Sequence, residues 1–198
     1  MKVILLLFLL ISSNALAESN LCIAVNNFVE KKWDEGNEFK TNVKWNTGGY
    51  SYFNSYMGRT FKETYIEFTH LDIDNDGIQD TVIRSWGGIG GHLGQSLVIV
   101  KNQIVDLSFK GAGYSHKVYD FGSEELNMIH SYPPWPYKEM GIDLAEMNPF
   151  FFEGKYYIVL SDTEKRGYML SNYSKSKIIE TKGHLSQVYL PPVCSKKI

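Results

Sequence analysis

Nine residues, Asp72-Ile73-Asp74-Asn75-Asp76-Gly77-Ile78-Gln79-Asp80, constrain this chain more than any other stretch. Four carboxylates at positions 1, 3, 5 and 9 of one loop repel one another unless a cation is shared among them. That spacing suits a hard divalent ion, which takes about six to eight oxygen ligands at roughly 2.3–2.6 Å. Asp72, Asp74, Asp76 and Asp80 would supply side chains and Ile78 its carbonyl, so calcium is the expected cofactor, in a structural role before a catalytic one. Gly77 stands where such a loop turns sharply and needs a positive φ. The competing reading is a metal-free turn, because Asp, Asn and Gly build turns unaided.

The loop is not a complete EF-hand, since Ile83 stands where the twelfth position would carry a bidentate Glu. Its flanks, Thr64 to His70 and Thr81 to Trp86, are rich in β-branched and aromatic residues in rough alternation, which reads as strand, calcium loop, strand. The stretch resembles the D-x-D-x-D-G-x-x-D calcium loops of FG-GAP and VCBS-type β-repeats, which join neighbouring strands of a propeller-like blade. That resemblance implies the same five ligands, Asp72, Asp74, Asp76, Asp80 and the Ile78 carbonyl. It covers about thirty residues in a single copy, so a propeller of several blades does not transfer. The chain is similar, too, to small periplasmic inhibitors of cell-wall hydrolases, including immunity proteins against peptidoglycan-degrading toxins, that carry one such loop on a single blade-like sheet.

Residues 1–17 read as a secretory signal, with Lys2, an apolar run from Val3 to Ile11 and a small-residue cleavage site at Ala15-Leu16-Ala17. The apolar run is shorter than the roughly twenty residues that span a bilayer, and no later stretch is apolar enough, so no transmembrane anchor is expected. Residues 18–198 then form one exported domain, periplasmic or secreted. Lys+Arg 20 against Asp+Glu 22 leaves no basic footprint for nucleic acid. In an exported chain the two cysteines, Cys22 and Cys194, are expected to form one disulfide tying the ends of the domain together.

Leu21, Val25, Phe28 and Val29 recur at helical spacing, predicting a helix from Asn20 to Lys32. Most of the rest is strand-like. The expected fold class is mainly β: a single-domain antiparallel meander, sandwich or blade-like sheet with one or two short helices. Strands are expected at Trp45 to Phe53 and Gln95 to Val100, with a turn at Lys101-Asn102-Gln103 into a strand from Ile104 to Phe109. Phe150 to Leu160 reads as a hairpin around a Glu-Gly turn, Gly167 to Tyr173 pairs with Lys177 to Thr181, and a last strand runs from Gln187 through the prolines to Cys194. Trp86 to Gly94 reads as a glycine connection, and Ser123 to Ile129 as a helical turn.

Chemistry is sparser. The five histidines, at 70, 92, 116, 130 and 184, show no zinc spacing, and no G-x-S-x-G is present. A glycosidase-like carboxylate pair among Asp143, Glu146 and Glu153 stays open, because such pairs need only meet in space. Contact surfaces have more support. His92 lies in the glycine connection, and Gly111 to His116 resembles the short Gly/Ser/Tyr loops that lysozyme inhibitors insert into a cleft, making Tyr114 and His116 candidates for partner contact. Trp135 sits on the proline-stiffened segment Tyr132 to Tyr137, a further candidate ridge. The expected function is protein contact in the cell envelope, with a peptidoglycan hydrolase as the partner class. A structural or adhesive envelope component and a hydrolase are the alternatives.

Overall fold

The computed structural model describes residues 20–31, 43–52, 64–89, 92–112, 114–117, 126–130, 146–162, 167–182 and 185–196. They form one helix, α1 (20–31), and twelve strands. In chain order these are β1 (Asn46–Tyr52), β2 (Thr64–Leu71), β3 (Asp80–Ile89), β4 (His92–Val100), β5 (Ser115–Lys117) and β6 (Leu126–His130). There follow β7 (Glu146–Phe152), β8 (Lys155–Asp162), β9 (Gly167–Ser171), β10 (Lys177–Lys182), β11 (Leu185–Tyr189) and β12 (Pro192–Lys196).

The strands make two sheets, an eight-stranded one in the order β10-β11-β6-β4-β3-β2-β1-β5 and a four-stranded one in the order β12-β9-β8-β7. Of the architectures left open by the sequence, the sandwich is the one formed. Its pairing is antiparallel except at β1 with β5 and β6 with β11, which run parallel and therefore need long crossovers.

The run Leu97-Val98-Ile99-Val100 in β4 is fully buried at every position, which is possible only for a strand covered on both faces. Leu97 and Ile99 face the smaller sheet, in a core shared with Leu71 and Val82 of the large sheet and with Met147, Ile158, Leu160 and Met169 of the small one. Val98 and Val100 face the other way, into a core with Ile66, Phe68, Ile83 and Leu107. Leu107 belongs to a strap, residues 101–112, that crosses the outer face of the large sheet. The outer face of the small sheet is covered by α1, whose Leu21, Val25 and Val29 recur every four residues and pack on Phe150, Val159, Tyr168 and Leu170. The order of layers is helix, small sheet, large sheet, strap.

Several sequence expectations give way here for identifiable reasons. Ile104 to Phe109 is not a strand, because β6 occupies the sheet position beside β4 that a hairpin partner would take. Leu126 to His130 is β6 and not a helical turn: it lies between β4 and β11, and pairing on both sides overrides a short helical preference. Trp86 to Gly94 is largely a continuation of the β3–β4 hairpin, with Gly87 opposite Gly94 and Ile89 opposite His92. β9 and β10 do not pair with each other. A 3-10 turn at Tyr173–Lys175, opened by Asn172 accepting Ser174 N–H, carries the chain from the small sheet to the large one. The hairpin at Phe150 to Leu160 does form, with Glu153 and Gly154 both at positive φ (46° and 80°), the geometry that matches strand twist in a two-residue turn.

Cys22 and Cys194 are bonded, with Cα atoms 5.6 Å apart, so the disulfide staples α1 to β12. The signal segment expected at residues 1–17 lies outside the described residues. Among the described residues no helix is long and apolar enough to cross a membrane.

Candidate metal centre

The acidic loop joins β2 to β3 at one end of the sandwich. Ile73 is fully buried in the inter-sheet core, and Asp74 and Asp80 are buried with it. One carboxylate oxygen each from Asp72, Asp74 and Asp80 lies within 4.8 Å of the others. Two ligands held at about 2.4 Å from a common cation can be no more than about 4.8 Å apart, so the three fit around one ion of calcium's size. An all-oxygen set selects hard cations over zinc or copper.

The backbone of the loop holds these carboxylates in place. Asp72 Oδ1 accepts Asp76 N–H at 2.9 Å and its Oδ2 accepts Gly77 N–H at 2.9 Å. Asp80 Oδ2 accepts Ile73 N–H at 3.0 Å, and its Oδ1 accepts Asn102 N–H at 2.8 Å. Each oxygen keeps a second lone pair, since an ionised carboxylate offers about four acceptor sites. Gly77 sits at φ 93°, which admits no side chain without strain.

Asp76 is not part of the convergent group. Its Oδ1 turns back to accept Ile78 N–H at 2.8 Å, while the side chain of Ile78 is half exposed. The structure therefore brings together three of the four aspartates expected as ligands.

Burial pushes the Asp80 carboxyl up, and the charges of Asp74 and Asp76 push it further, against the lowering effect of the Asn102 and Ile73 N–H groups. Lys101 answers part of this negative charge: its Nζ is 2.7 Å from Asp74 Oδ2. The hydrogen bond to Asp74 raises the Lys101 ammonium above its ordinary value. The turn at Lys101 and Asn102 was legible in the sequence, but its delivery of an ammonium and an N–H to the acidic loop was not. No local signal marks a contact across 27 residues.

Asn75 is a second residue that the ligand pattern passes over. It sits at φ 62°, where Asn is tolerated, and its amide pairs with the backbone of Tyr156 in both directions, donating to the carbonyl at 3.0 Å and accepting N–H at 2.6 Å. This side chain ties the loop to β8, hence to the other sheet. The presence of Asn between two aspartates in a turn is the one sequence hint of it.

The remaining candidates divide. His116 is buried, and its Nε2 lies 2.9 Å from Leu107 O, so it clamps the strap from below. His70 does the same at Val105 O, 3.0 Å away. Thr81 adds a third clamp, donating to Gln103 O at 2.7 Å and accepting Val105 N–H at 2.9 Å. Tyr114 stands edge-on to His116 with ring centroids 5.0 Å apart and Lys110 over its ring. His92 opens β4 opposite Ile89. Trp135 and Asp143 lie outside the described residues. Glu146 begins β7 and Glu153 follows its end, so they are roughly 23 Å apart along an extended strand, too far for a glycosidase pair.

Comparison with known proteins returns nothing that narrows the fold or the site further: no family profile, no curated protein and no solved structure matches the chain.

Proposed function

We propose that this chain is an exported β-sandwich that takes a calcium ion in the β2–β3 loop and acts by contact with a protein of the cell envelope, as an inhibitor or immunity protein of a peptidoglycan hydrolase. The convergence of Asp72, Asp74 and Asp80 carries the metal half of this reading. The ligand set expected from the sequence adds Asp76 and the Ile78 carbonyl, which would enter by a small rearrangement of the exposed loop tip. A bound cation would supply charge neutralisation and would pin β2, β3 and, through Asn75, β8. Magnesium demands near-octahedral geometry and retains water, so a loop with this many carboxylates suits calcium better. The contact half is supported by the export signal expected from the sequence, the staple between α1 and β12, and aromatic side chains presented on strands. Tyr50 and Tyr65 stand exposed and edge-on to each other, and Phe151 is exposed against Tyr156. Rigid aromatic side chains lose little entropy on binding.

Lys101 favours a second reading, in which the loop is metal-free and the ammonium is its counter-charge. The two are separated by Lys101→Gln. If calcium binds, removing the competing ammonium strengthens the response of the melt to calcium. If the loop is metal-free, Lys101→Gln lowers stability by about 1 kcal/mol or less, the half-exposed ammonium being screened by solvent, and does so equally in calcium and in chelator. The partner is tested by affinity capture from the cell-envelope extract of the source, in calcium and in chelator side by side. Stoichiometric recovery of a hydrolase supports the contact reading; recovery of no protein in either condition removes it.

A further inference from the structure

The interface between α1 and the small sheet changes character along its length. Around the disulfide it is apolar, with Leu21, Val25 and Val29 against Val159 and Leu170. Further along the same face of the sheet the buried residues become polar. Glu146 is paired with Ser161 and Asn148 with Val159, so Asn148 and Ser161 lie diagonally on the same face as Phe150 and Val159. Asn148 is 1% exposed and Ser161 0%. Arg84 fixes the orientation of the Asn148 amide by donating from Nη1 to Oδ1 at 2.9 Å, which turns Nδ2 away from the guanidinium. Among the described residues neither that Nδ2 nor the Ser161 Oγ has a hydrogen-bond partner.

Two fully buried polar groups without partners, on diagonal positions of one strand pair, are rare in folded proteins. Diagonal residues of a strand pair are roughly 7–8 Å apart, a separation that a single small bridging molecule can span. The chemistry narrows what it is. Nδ2 can only donate, while a hydroxyl can do either, so the bridge must accept from Asn148 and either donate to or accept from Ser161. We propose that one ordered water molecule binds here, accepting from Asn148 Nδ2 and hydrogen-bonded to Ser161 Oγ. It completes a polar chain that starts at Glu67, passes through Arg84 stacked on Trp45 and through Asn148, and ends at Ser161 on the same face of the small sheet as Val159. Buried waters of this kind satisfy otherwise orphaned groups and are costly to remove.

The test has two arms. A crystal structure at atomic resolution is expected to show one water within hydrogen-bonding distance of both Asn148 Nδ2 and Ser161 Oγ. Density showing either atom bonded to a protein group, or no water touching both, overturns the proposal. In solution, magnetic relaxation dispersion counts long-lived internal waters, and Ser161→Val, which fills the site and removes the hydroxyl, is expected to lower that count by one. An unchanged count in a folded variant overturns it equally. The crystallographic arm uses the wild-type protein, so the proposal stays refutable if Ser161→Val does not fold.

Discussion

Breaking the Cys22–Cys194 bond is the perturbation with the largest expected effect. The bond closes a loop with a sequence separation of 172 residues, and the chain-entropy relation assigns such a closure about 5 kcal/mol as an upper figure. Domains of this size are stable by about 5–15 kcal/mol, so the staple supplies a large share. For a domain of this length the melting temperature would fall by about 10–20 °C. The structure also says where the loss should begin. α1 spans only residues 20–31, too short to persist alone, and it is held to the sheet by the disulfide and one apolar stripe. We therefore expect reduction to release α1 before the sandwich unfolds. Leu21→Ala reads this directly. With the bond intact it should cost about 2–5 kcal/mol, as deletion of a buried leucine does. In a Cys22→Ser, Cys194→Ser background it should cost less than half as much, because the helix is already undocked in part. Urea denaturation of the four proteins closes the cycle. Strictly additive costs would mean that α1 stays docked without the bond, and an unchanged midpoint on reduction would refute the entropic argument altogether.

Removing calcium is expected to lower stability. With a dissociation constant of about 0.1 mM and about 1 mM free ion the difference is about 1.4 kcal/mol, or about 3–6 °C in a thermal melt, and Asp74→Ala should abolish the response to chelator. A melt of metal-free protein that ignores added calcium would remove the site. Asn75→Gly keeps the backbone conformation but loses both hydrogen bonds to Tyr156, and should cost about 1–3 kcal/mol in chemical denaturation, with faster amide exchange in β8. Thr81→Val leaves the Gln103 carbonyl and the Val105 N–H without partners under the strap and should cost about 2–4 kcal/mol; a loss below 0.5 kcal/mol, roughly the floor for a single hydrogen bond, would show that water replaces the hydroxyl. Burial pushes the Tyr173 hydroxyl far above its usual range, outweighing the lowering effect of the Asn127 hydrogen bond. A phenol raised in the folded state favours folding below its unfolded pKa of about 10, and that contribution is lost as pH rises beyond it. An ultraviolet titration of Tyr173→Phe should accordingly match wild type while folded and show one fewer ionising tyrosine only after alkaline unfolding. A difference in the folded-state titration would contradict the burial.

The strand pattern was legible wherever one residue type dominated its local choice. Thr64 to His70 and Thr81 to Trp86 are β-branched and aromatic, and both are strands; Leu21, Val25 and Val29 repeat at helical spacing, and they are the buried face of α1. Local preference failed where neighbours decided. The Ile104 to Phe109 segment alternates like a strand, yet β6 holds the place beside β4 that a hairpin partner would take, and Leu107 packs from above instead. Leu126 to Ile129 could turn as a helix but is trapped between two strands.

The acidic loop divides in the same way. Its spacing placed four carboxylates and a glycine in one tight turn, and the structure has Asp72, Asp74 and Asp80 facing one point with Gly77 at positive φ. Sequence alone also paired the two cysteines, because a chain expected to be exported, with only two, has one bond to make. Only the tertiary structure decided that Asp76 turns away, that Lys101 and Asn102 reach the loop from β4, and that Asn75 fastens it to β8. The contacts of Lys101, Asn102 and Asn75 join residues 22 to 81 positions apart, and their partners are chosen by the way the strands and the two sheets pack. A local pattern carries the turn and the charge; it carries no record of what the other sheet brings to meet them.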